Sequence, residues 1–518
     1  MVESILSKRP ILESTAADQF AARNETDVAK KRSKTSNSQG AIAVGMNHPL
    51  GIKPFGNLIL SDNDAHASCV QIRKKLLGYF SILPDELILS LMQNLEANEL
   101  RRLGYSSRIF SAFASQDDLW KQLFVSRAKS PRRWYGTWRR TYLEIEEANE
   151  ARFQCHGFYS DTLYRPFFCA SLNLTEYVSS MRTSMAESTK IVRLSECPTK
   201  DEFDNYWAFR PFIVENQEWP AWTVADLERK CGSLKFIQEC VQWELSVYTQ
   251  YMKNNTDESP LYLFDREFAD KTELAAEYKA PDIFATDYLN ALESIRPDYR
   301  WLIIGPERSG STFHKDPNAT SAWNAVIEGE KYWVMFPPDV LPPGVYTPLP
   351  NRDADESEVT SPLSVSEWIL LFLRAGMSTP GYVDGFCRAG EVVYVPSGWW
   401  HLVVNLTTTV AITQNFVPLP HVMSVLKFFH NKKDQISGFR RSQSPGDNDE
   451  EDNETPEIDV LSIFIERLKT SKALPKSMLQ KIEEWSNLQG ESSWTKLTDG
   501  KEDSFRFGFG EDGSDEES

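Results

Sequence analysis

Short β-branched and aromatic runs, separated by proline and glycine turns, fill the chain between about residues 155 and 420. KYWVMF, EVVYVP and HLVVNL are examples, and runs of this length and composition are typical of β-strands. Many short strands joined by turns indicate a barrel or a sandwich. We therefore predict that this part of the chain is mainly β.

Two segments of the β-rich region carry side chains of the kinds that hold a metal ion. GSTFHKDP places His314 and Asp316 two positions apart, and such residues project from the same face of an extended strand. PSGWWHLVVNL delivers His401 at the start of another β-rich run, directly after a turn. Two histidines and one carboxylate leave coordination positions open, which suits non-haem Fe(II), whereas zinc favours a closed tetrahedron. These three residues are the predicted metal ligands.

An HxD pair by itself is common and usually structural, so the prediction depends on the PSGWWH turn and the LVVNLTTTVAITQNF run that follows it. Lys315, between the first two ligands, should point away from the metal by strand alternation. Trp399 and Trp400 are predicted to fill core volume. The remaining histidines, at positions 48, 66, 156, 421 and 430, are expected at the surface or in the core.

The same segments resemble the JmjC oxygenases. The likeness runs from SPLYLFD through RWLIIGPERSGSTFHKDPNATSAWNAVIEGEKYWVMFP to PGYVDGFCRAGEVVYVPSGWWHLVVNLTTTVAITQNF, and it covers about residues 190–420. It is similar to the branch of lysyl hydroxylases and arginine demethylases once named for the phosphatidylserine receptor. The resemblance implies a double-stranded β-helix, a jelly roll of the cupin type, with the metal site at one open end.

The resemblance also implies the co-substrates, which are Fe(II)-bound 2-oxoglutarate and O2. In this branch a lysine and a threonine hold the distal carboxylate, and these roles fall on Lys331 in GEKYW and Thr413 in AITQNF. Tyr262 in PLY and Asn324 in SAWNA match two further binding positions. A doubly anionic ligand needs a cation and hydroxyl donors, and charge-assisted bonds are strong. Asn324 would alternatively support the metal ligands, and Tyr262 would alternatively be a core aromatic with a satisfied hydroxyl.

An N-terminal segment, ILPDELILSLMQNLEANELRRLGYSSRIFSAFASQDDLWKQLF, resembles an F-box. The residues that carry the likeness are Leu83, Pro84, Leu87, Leu91, Leu119, Trp120 and Leu123. In that family an exposed leucine face docks on the Skp-type adaptor of cullin-RING ubiquitin ligases. The alternative is a small helical domain whose leucines are satisfied internally or against the oxygenase.

At 518 residues the chain exceeds one ordinary domain, and we predict a multidomain protein. A small all-α F-box precedes a mainly β JmjC domain with flanking helices and a disordered acidic tail. The expected divisions are a disordered tail at 1–75, the F-box-like domain at 76–126, a linker region at 127–189, the oxygenase at 190–420, C-terminal helices with an acidic loop at 421–490, and an acidic tail at 491–518.

The amino-acid composition restricts the kinds of partner and the cellular compartment that can be expected. The net charge of −18 disfavours sequence-independent binding to nucleic acid and favours a basic protein partner. Seven scattered cysteines without a CxxC pair indicate neither a disulfide framework nor a zinc module, and no apolar stretch is long enough to cross a membrane. A soluble intracellular protein is expected. The KKRSK run at residues 30–34 predicts a nuclear location, with the cytoplasm as a second compartment.

Three functional hypotheses follow. The leading one is a dioxygenase that hydroxylates or demethylates lysine or arginine side chains of a Lys- and Arg-rich protein. The second is an F-box substrate adaptor of a cullin-RING ligase, in which the barrel only binds the target. The third, a cupin-like sugar isomerase or metal-binding scaffold, would not require Lys331 and Thr413 at their positions.

Overall fold

The computed structural model describes residues 47–56, 63–127, 130–150, 153–185, 190–215, 219–347, 359–362, 364–439, 459–471 and 473–490. Within these ranges, a helical unit at residues 63–126 is followed by further helices before the first strand. These helices are α1 Asn63–Leu77, α2 Asp85–Met92, α3 Ala97–Ser106, α4 Arg108–Ala114, α5 Asp117–Ser126, α6 Trp138–Leu143, α7 Asp161–Ala170 and α8 Leu174–Ser184.

The β-rich part contains thirteen strands in the described ranges, interspersed with short helices. The strands are β1 Val192–Leu194, β2 Phe212–Val214, β3 Lys235–Gln238, β4 Val241–Glu244, β5 Leu263–Asp265, β6 Arg300–Gly305, β7 Gly310–His314, β8 Ser321–Glu328, β9 Glu330–Phe336, β10 Val383–Arg388, β11 Val392–Val395, β12 Trp400–Asn405 and β13 Thr409–Phe416. The helices among them are α9 Lys200–Asn205, α10 Val224–Cys231, α11 Leu245–Lys253, α12 Phe268–Lys271 and α13 Val365–Met377.

Two sheets form the barrel. One has nine strands in the order β1-β2-β11-β8-β13-β6-β5-β3-β4, and the other has four in the order β10-β9-β12-β7. Apart from the parallel pair β1 and β2, the paired strands are antiparallel. The mainly β fold class with flanking helices is confirmed.

Side chains of the four-stranded sheet alternate between two environments. Trp333 and Met335 of β9 pack in the barrel interior with Ala322 of the large sheet. Their neighbours Tyr332 and Val334 pack on the opposite face, against α13 and α8. Strand alternation therefore directs Lys331, two positions before Trp333, into the barrel.

The helical unit shares one apolar core with the outer face of the large sheet. Trp138 of α6 lies at the junction, with its ring centroid 5.4 Å from that of Trp243 in β4 and 5.6 Å from that of Phe124 in α5. The Trp138 indole N–H also donates to Asp257 Oδ2 at 2.8 Å. A continuous core of this kind fixes the helical unit against the barrel.

The described part of the chain ends in three helices, α14 Val422–Asn431, α15 Val460–Thr470 and α16 Lys476–Gly490. They bury a separate cluster that includes Leu426, Phe429, Phe464 and Ile482. Leu292, in the 3-10 segment that precedes β6, belongs to the same cluster. The C-terminal helices thus cover one side of the barrel.

Two expected divisions are wrong. Residues 127–189 are not a linker, because α6, α7 and α8 lie there and bury Trp134, Trp138 and Leu163. The boundary of the N-terminal tail at residue 75 is also wrong, since α1 begins at Asn63 and Ile52 is buried in the core. In both cases tertiary contacts order a segment that lacks a long periodic pattern of its own.

Several expectations lie outside the described residues. They are the KKRSK run at 30–34, most of the acidic loop after residue 439, and the acidic tail at 491–518. All seven cysteines fall in described segments, and none forms a disulfide. Among the described helices, none combines the length and the apolar character that crossing a bilayer requires.

Candidate metal centre and co-substrate chamber

His314 and His401 meet across paired strands. His314 ends β7, His401 is the second residue of β12, and the two are direct partners in the antiparallel register. Their imidazole centroids are 4.1 Å apart. Asp316 lies two residues after the end of β7, and one ligand atom from each of the three residues lies within 4.8 Å of the others. The structure thus brings the three predicted ligands together.

Backbone carbonyls set the tautomers of both histidines. Nδ1 of His314 lies 2.7 Å from the carbonyl oxygen of Thr312, and Nδ1 of His401 lies 3.1 Å from that of Trp399. A carbonyl only accepts, so each Nδ1 carries the proton and each Nε2 keeps a free lone pair. Burial lowers the pKa of His401, and the nearby His314 lowers it further. The lowered pKa keeps the His401 ring neutral, and both rings present Nε2 to the metal position.

The third ligand has an open coordination atom. Oδ2 of Asp316 is buried and has no hydrogen-bond partner among the described residues. Burial raises the pKa of this carboxyl, while His314 and a hydrogen bond from Asn415 act in the opposite direction. A buried carboxylate oxygen without a donor is costly unless a cation occupies the space in front of it. Two imidazoles and this carboxylate fit Fe(II).

Lys331 is fully buried inside the barrel, and we call its surroundings, with Tyr262 and Asn405, the co-substrate chamber. Its Nζ donates to the hydroxyl oxygen of Tyr262 at 2.5 Å and to Oδ1 of Asn405 at 2.8 Å. The amide of Asn405 in turn donates to the Ser309 hydroxyl at 2.8 Å. Burial lowers the pKa of Lys331 to about 7. No carboxylate of the described residues lies within ion-pair distance of this ammonium group, so the chamber fits an anionic ligand.

Thr413 and Asn324 face each other on β13 and β8 as direct register partners. The Thr413 hydroxyl donates to the carbonyl of Trp323 at 2.8 Å, so it is not in contact with Lys331 in this structure. Oδ1 of Asn324 is buried without a hydrogen-bond partner among the described residues. The four predicted co-substrate residues thus form two groups, with Lys331 and Tyr262 in contact and Thr413 beside Asn324.

The residues beside the ligands behave as packing groups. Lys315 turns away from the metal ligands and donates from Nζ to the Pro338 carbonyl at 2.9 Å. Its ammonium also lies 4.8 Å from the ring centroid of Trp400, which is buried against α13. Trp399 packs at the edge of the interior cluster.

Two polar residues of the site were missed in the sequence. Asn405 lies four positions after His401 on the same face of β12, and Asn415 lies two positions after Thr413 on β13. Asn415 donates to the Thr320 hydroxyl at 2.8 Å and also hydrogen-bonds Asp316. Period-2 spacing from a predicted site residue would have found both.

The metal centre opens into a large cleft, of about 2950 Å³, between the barrel and the helical unit. His314, Asp316 and Tyr262 line it from the barrel, and Asp117 of α5 lines it from the helical unit. The helical unit therefore forms part of the path to the metal centre.

A second surface of the helical unit is apolar and exposed. Tyr79 is 96% exposed, Ile82 84%, Leu87 42% and Leu91 55%. In contrast, Trp120 of the same unit is fully buried. The leucines at 87 and 91 are thus not satisfied internally, contrary to the alternative reading of this segment.

Comparison with protein families matches residues 238–421 to the cupin-like domain and residues 80–126 to the F-box-like domain. The first range covers β4 to β13 of the barrel, and the second covers most of the helical unit.

Comparison with curated proteins finds relatives of named activity. The chain is 38% identical over 406 residues to the arginine-specific demethylase JMJ22 of Arabidopsis thaliana. The matched region covers 75% of this chain and 77% of that protein. It is 34% identical to the bifunctional arginine demethylase and lysyl-hydroxylase psr-1 of Caenorhabditis elegans, over 40% of this chain and 55% of the relative. It is 33% identical to the 2-oxoglutarate and iron-dependent oxygenase JMJD4 of Gallus gallus, over 33% of this chain and 40% of the relative.

Proposed function

Because this chain belongs to the cupin-like JmjC family of iron- and 2-oxoglutarate-dependent oxygenases, we propose that it hydroxylates or demethylates lysine or arginine side chains of a protein. The observation that carries the proposal is the open site of His314, Asp316 and His401, whose ligand atoms lie within 4.8 Å of one another. A barrel used only for binding would not need two imidazoles with free Nε2 atoms beside an unpartnered carboxylate oxygen.

His314, Asp316 and His401 would hold Fe(II), which supplies the activation of O2 and the oxidation of the substrate when it is bound. The remaining tasks belong to the protein. Backbone carbonyls orient both histidines, and Asn415 orients the carboxylate, as groups behind metal ligands commonly do.

Lys331 and Tyr262 would hold the distal carboxylate of 2-oxoglutarate. The ammonium group already lies between two neutral oxygens, and an incoming carboxylate would give it a counter-ion. Thr413 and Asn324 would contribute a hydroxyl and an amide on the facing sheet. The barrel interior around them excludes water, which strengthens these contacts.

The reaction is tested with purified full-length protein, Fe(II), 2-oxoglutarate and peptides that contain lysine, arginine or methylated arginine. We expect succinate formation together with a mass gain of one oxygen, or with loss of a methyl group as formaldehyde. The His314→Ala variant should lose turnover, whereas His430→Ala, at a histidine on α14 outside the metal centre, should retain it. Equal turnover by His314→Ala and wild type would refute the assignment.

A second candidate function is adaptor binding, and the exposed apolar surface of the helical unit favours it. Leu87 and Leu91 lie on this surface together with Ile82, where an adaptor of the Skp type would cover them. Oxygenase and adaptor functions are compatible, because the metal centre lies in the barrel.

Adaptor binding is tested by co-elution of the full chain with a Skp-type adaptor. Leu91→Asp should abolish co-elution by placing a charge in the interface. Leu488→Asp, at a comparably exposed leucine on α16, should not. If wild type and Leu91→Asp behave alike, this surface does not bind the adaptor.

The proposed location is the nucleus, with the KKRSK run at residues 30–34 as its support. Replacement of its lysines and arginine by glutamine should shift a fluorescently tagged chain toward the cytoplasm. An unchanged distribution would refute this role for the run.

A further inference from the structure

The wall that the helical unit contributes to the cleft is acidic. Asp117 and Asp118 open α5 and line the cleft, and Glu239 and Asp257 line it from the barrel part of the chain. We call these four residues the acidic wall. Its carboxyl groups come from three separate segments, and they share one cleft with the metal centre.

Asp257 has a buried oxygen without a donor. The residue is only 9% exposed, and its Oδ2 accepts hydrogen bonds from the Trp138 indole at 2.8 Å and from the Tyr251 hydroxyl at 2.6 Å. Its Oδ1 is buried and has no hydrogen-bond partner in the described segments. Such an oxygen calls for a donor from outside the chain.

The acidic wall also has more carboxyl groups than cationic partners. Burial raises the pKa of Asp117, and the nearby Asp257 raises it further. Burial likewise raises the pKa of Glu239 and of Asp257, so a cationic side chain that entered the cleft would favour the charged form of these groups. Lys121 of α5 lies among these groups, and although burial lowers its pKa, Glu239 and Asp257 hold that pKa above the ordinary value. Arg308 is also near, and its guanidinium donates to the Asp257 carbonyl oxygen at 3.5 Å. Four carboxyl groups thus face two cations.

A metal ion does not fit the acidic wall. Within the described residues, ligand atoms of three or more candidate side chains approach closely enough to share an ion only at His314, Asp316 and His401. The carboxyl groups of the acidic wall are therefore too far apart for one small ion. Lysine and arginine side chains have long stems and several donors, and they can engage separated carboxylates.

We propose that the acidic wall binds a second lysine or arginine side chain of the same substrate, several residues away from the side chain that is oxidised. This inference rests on the oxygenase function proposed above and adds a residue-level specificity determinant, supplied in part by the F-box-like unit.

Strand β7 gives the spacing. Arg308, which contacts Asp257, precedes this strand, and His314 ends it. From Gly310 to His314 the strand spans at most about 14 Å, at about 3.4 Å per residue, because its pairing with β12 has a register shift between these residues. An extended peptide covers that distance in about four residues. The second basic side chain should therefore lie about four residues from the oxidised one.

The test is peptide binding to the full chain, measured by fluorescence anisotropy with Fe(II) and 2-oxoglutarate under nitrogen, so that no turnover occurs. One labelled peptide has a central arginine and a second arginine four residues to either side. Its partner has glutamine at those outer positions. We expect wild type to bind the first peptide about fivefold to tenfold more tightly at low ionic strength, and this preference should shrink as salt is added.

Two variants at the acidic wall should change the preference for the arginine peptide in opposite directions. Asp118→Asn/Glu239→Gln should lose most of the preference, because two carboxylates are neutralised. Lys121→Met should increase the preference, because a competing cation is removed. The matched control Glu466→Gln/Glu483→Gln removes two exposed carboxylates from α15 and α16 and should bind as wild type does.

The outcomes separate this inference from the proposed function. Absence of any preference in wild type, or an unchanged preference in Asp118→Asn/Glu239→Gln, overturns the role of the acidic wall even if the protein oxidises arginine peptides. Weaker binding by Lys121→Met also overturns it. A wall-dependent preference without turnover of any peptide would support the binding site and refute the oxygenase.

Discussion

The ammonium nitrogen of Lys331 lies 2.5 Å from the hydroxyl oxygen of Tyr262, inside the barrel and without a carboxylate partner among the described residues. Burial of a lysine against neutral oxygens destabilises its charged form, so its pKa falls to about 7. A chamber with this property is stabilised by an anion, and four predictions follow from it.

Replacement of Lys331 by methionine should abolish 2-oxoglutarate binding while the protein still folds. Methionine is of similar length and removes the buried charge, so the melting temperature of the free protein should change by only a few degrees. The stabilisation that 2-oxoglutarate gives to wild type should disappear. Differential scanning fluorimetry with and without the ligand measures both quantities. Lys427→Met, at an exposed lysine of α14, should keep the full ligand-induced shift.

Asn405→Asp should place a counter-ion inside the chamber. The new carboxylate would lie about where Oδ1 of Asn405 now accepts from Lys331 at 2.8 Å, and it would repel the carboxylate of 2-oxoglutarate. We expect the affinity for 2-oxoglutarate to fall by at least about tenfold, which corresponds to about 1.4 kcal/mol. Isothermal titration calorimetry tests this against Asn205→Asp at an exposed position of α9. Unchanged affinity in Asn405→Asp would show that the ligand does not contact Lys331.

The fold was predictable where the hydrophobic pattern of a short segment matches the burial of that segment in the folded protein. β9, β12 and β13 coincide with apolar runs, and their register places His314 opposite His401 as strand pairing requires. The segment 127–189 was not predictable in this way. Its two tryptophans, Trp134 and Trp138, find partners such as Trp243 far away in the sequence.

The candidate site shows the same division. His314, Asp316, His401 and Lys331 stand in motifs whose spacing carries their chemistry. Asn405 and the acidic wall carry no such signal, because they become neighbours of the site only when separate strands and the helical unit pack together. The hydroxyl direction of Thr413, toward a backbone carbonyl, likewise depends on β8 and could not be derived from the sequence.

The depressed pKa of Lys331 predicts a proton linkage. An unfolded lysine titrates near its ordinary pKa of 10.5 and the folded one near about 7, so between these values the unfolded state binds more protons. Stability of the free protein should therefore gain from this group as pH rises through that window, by at most about 1.4 kcal/mol per pH unit. Denaturant unfolding of wild type and Lys331→Met across the window isolates the effect.

The same linkage applies to the ligand. An anion favours charged Lys331, so 2-oxoglutarate binding above pH 7 should take up a proton, and its affinity should fall as pH rises. Tyr262 and Cys387 do not interfere, because burial raises the pKa of each and keeps them neutral. Calorimetry in two buffers of different ionisation enthalpy measures the uptake. Identical heats in both buffers would contradict it.

Trp138→Ala tests whether the helical unit and the barrel form one folding unit. The substitution removes a fully buried ring that contacts Trp243 and Phe124, and it deprives Asp257 of a donor. Loss of a buried tryptophan costs about 3–5 kcal/mol. Because Trp138 lies in the shared core, we expect one cooperative unfolding transition at a lower denaturant concentration, with the same midpoint for probes on the helical unit and on the barrel.

The control is Tyr79→Ala, at a side chain that is 96% exposed, which should change the free energy of unfolding by less than about 0.5 kcal/mol. Two separate transitions in Trp138→Ala would mean that the helical unit folds independently, and the acidic wall would then depend on a contact that the barrel does not require.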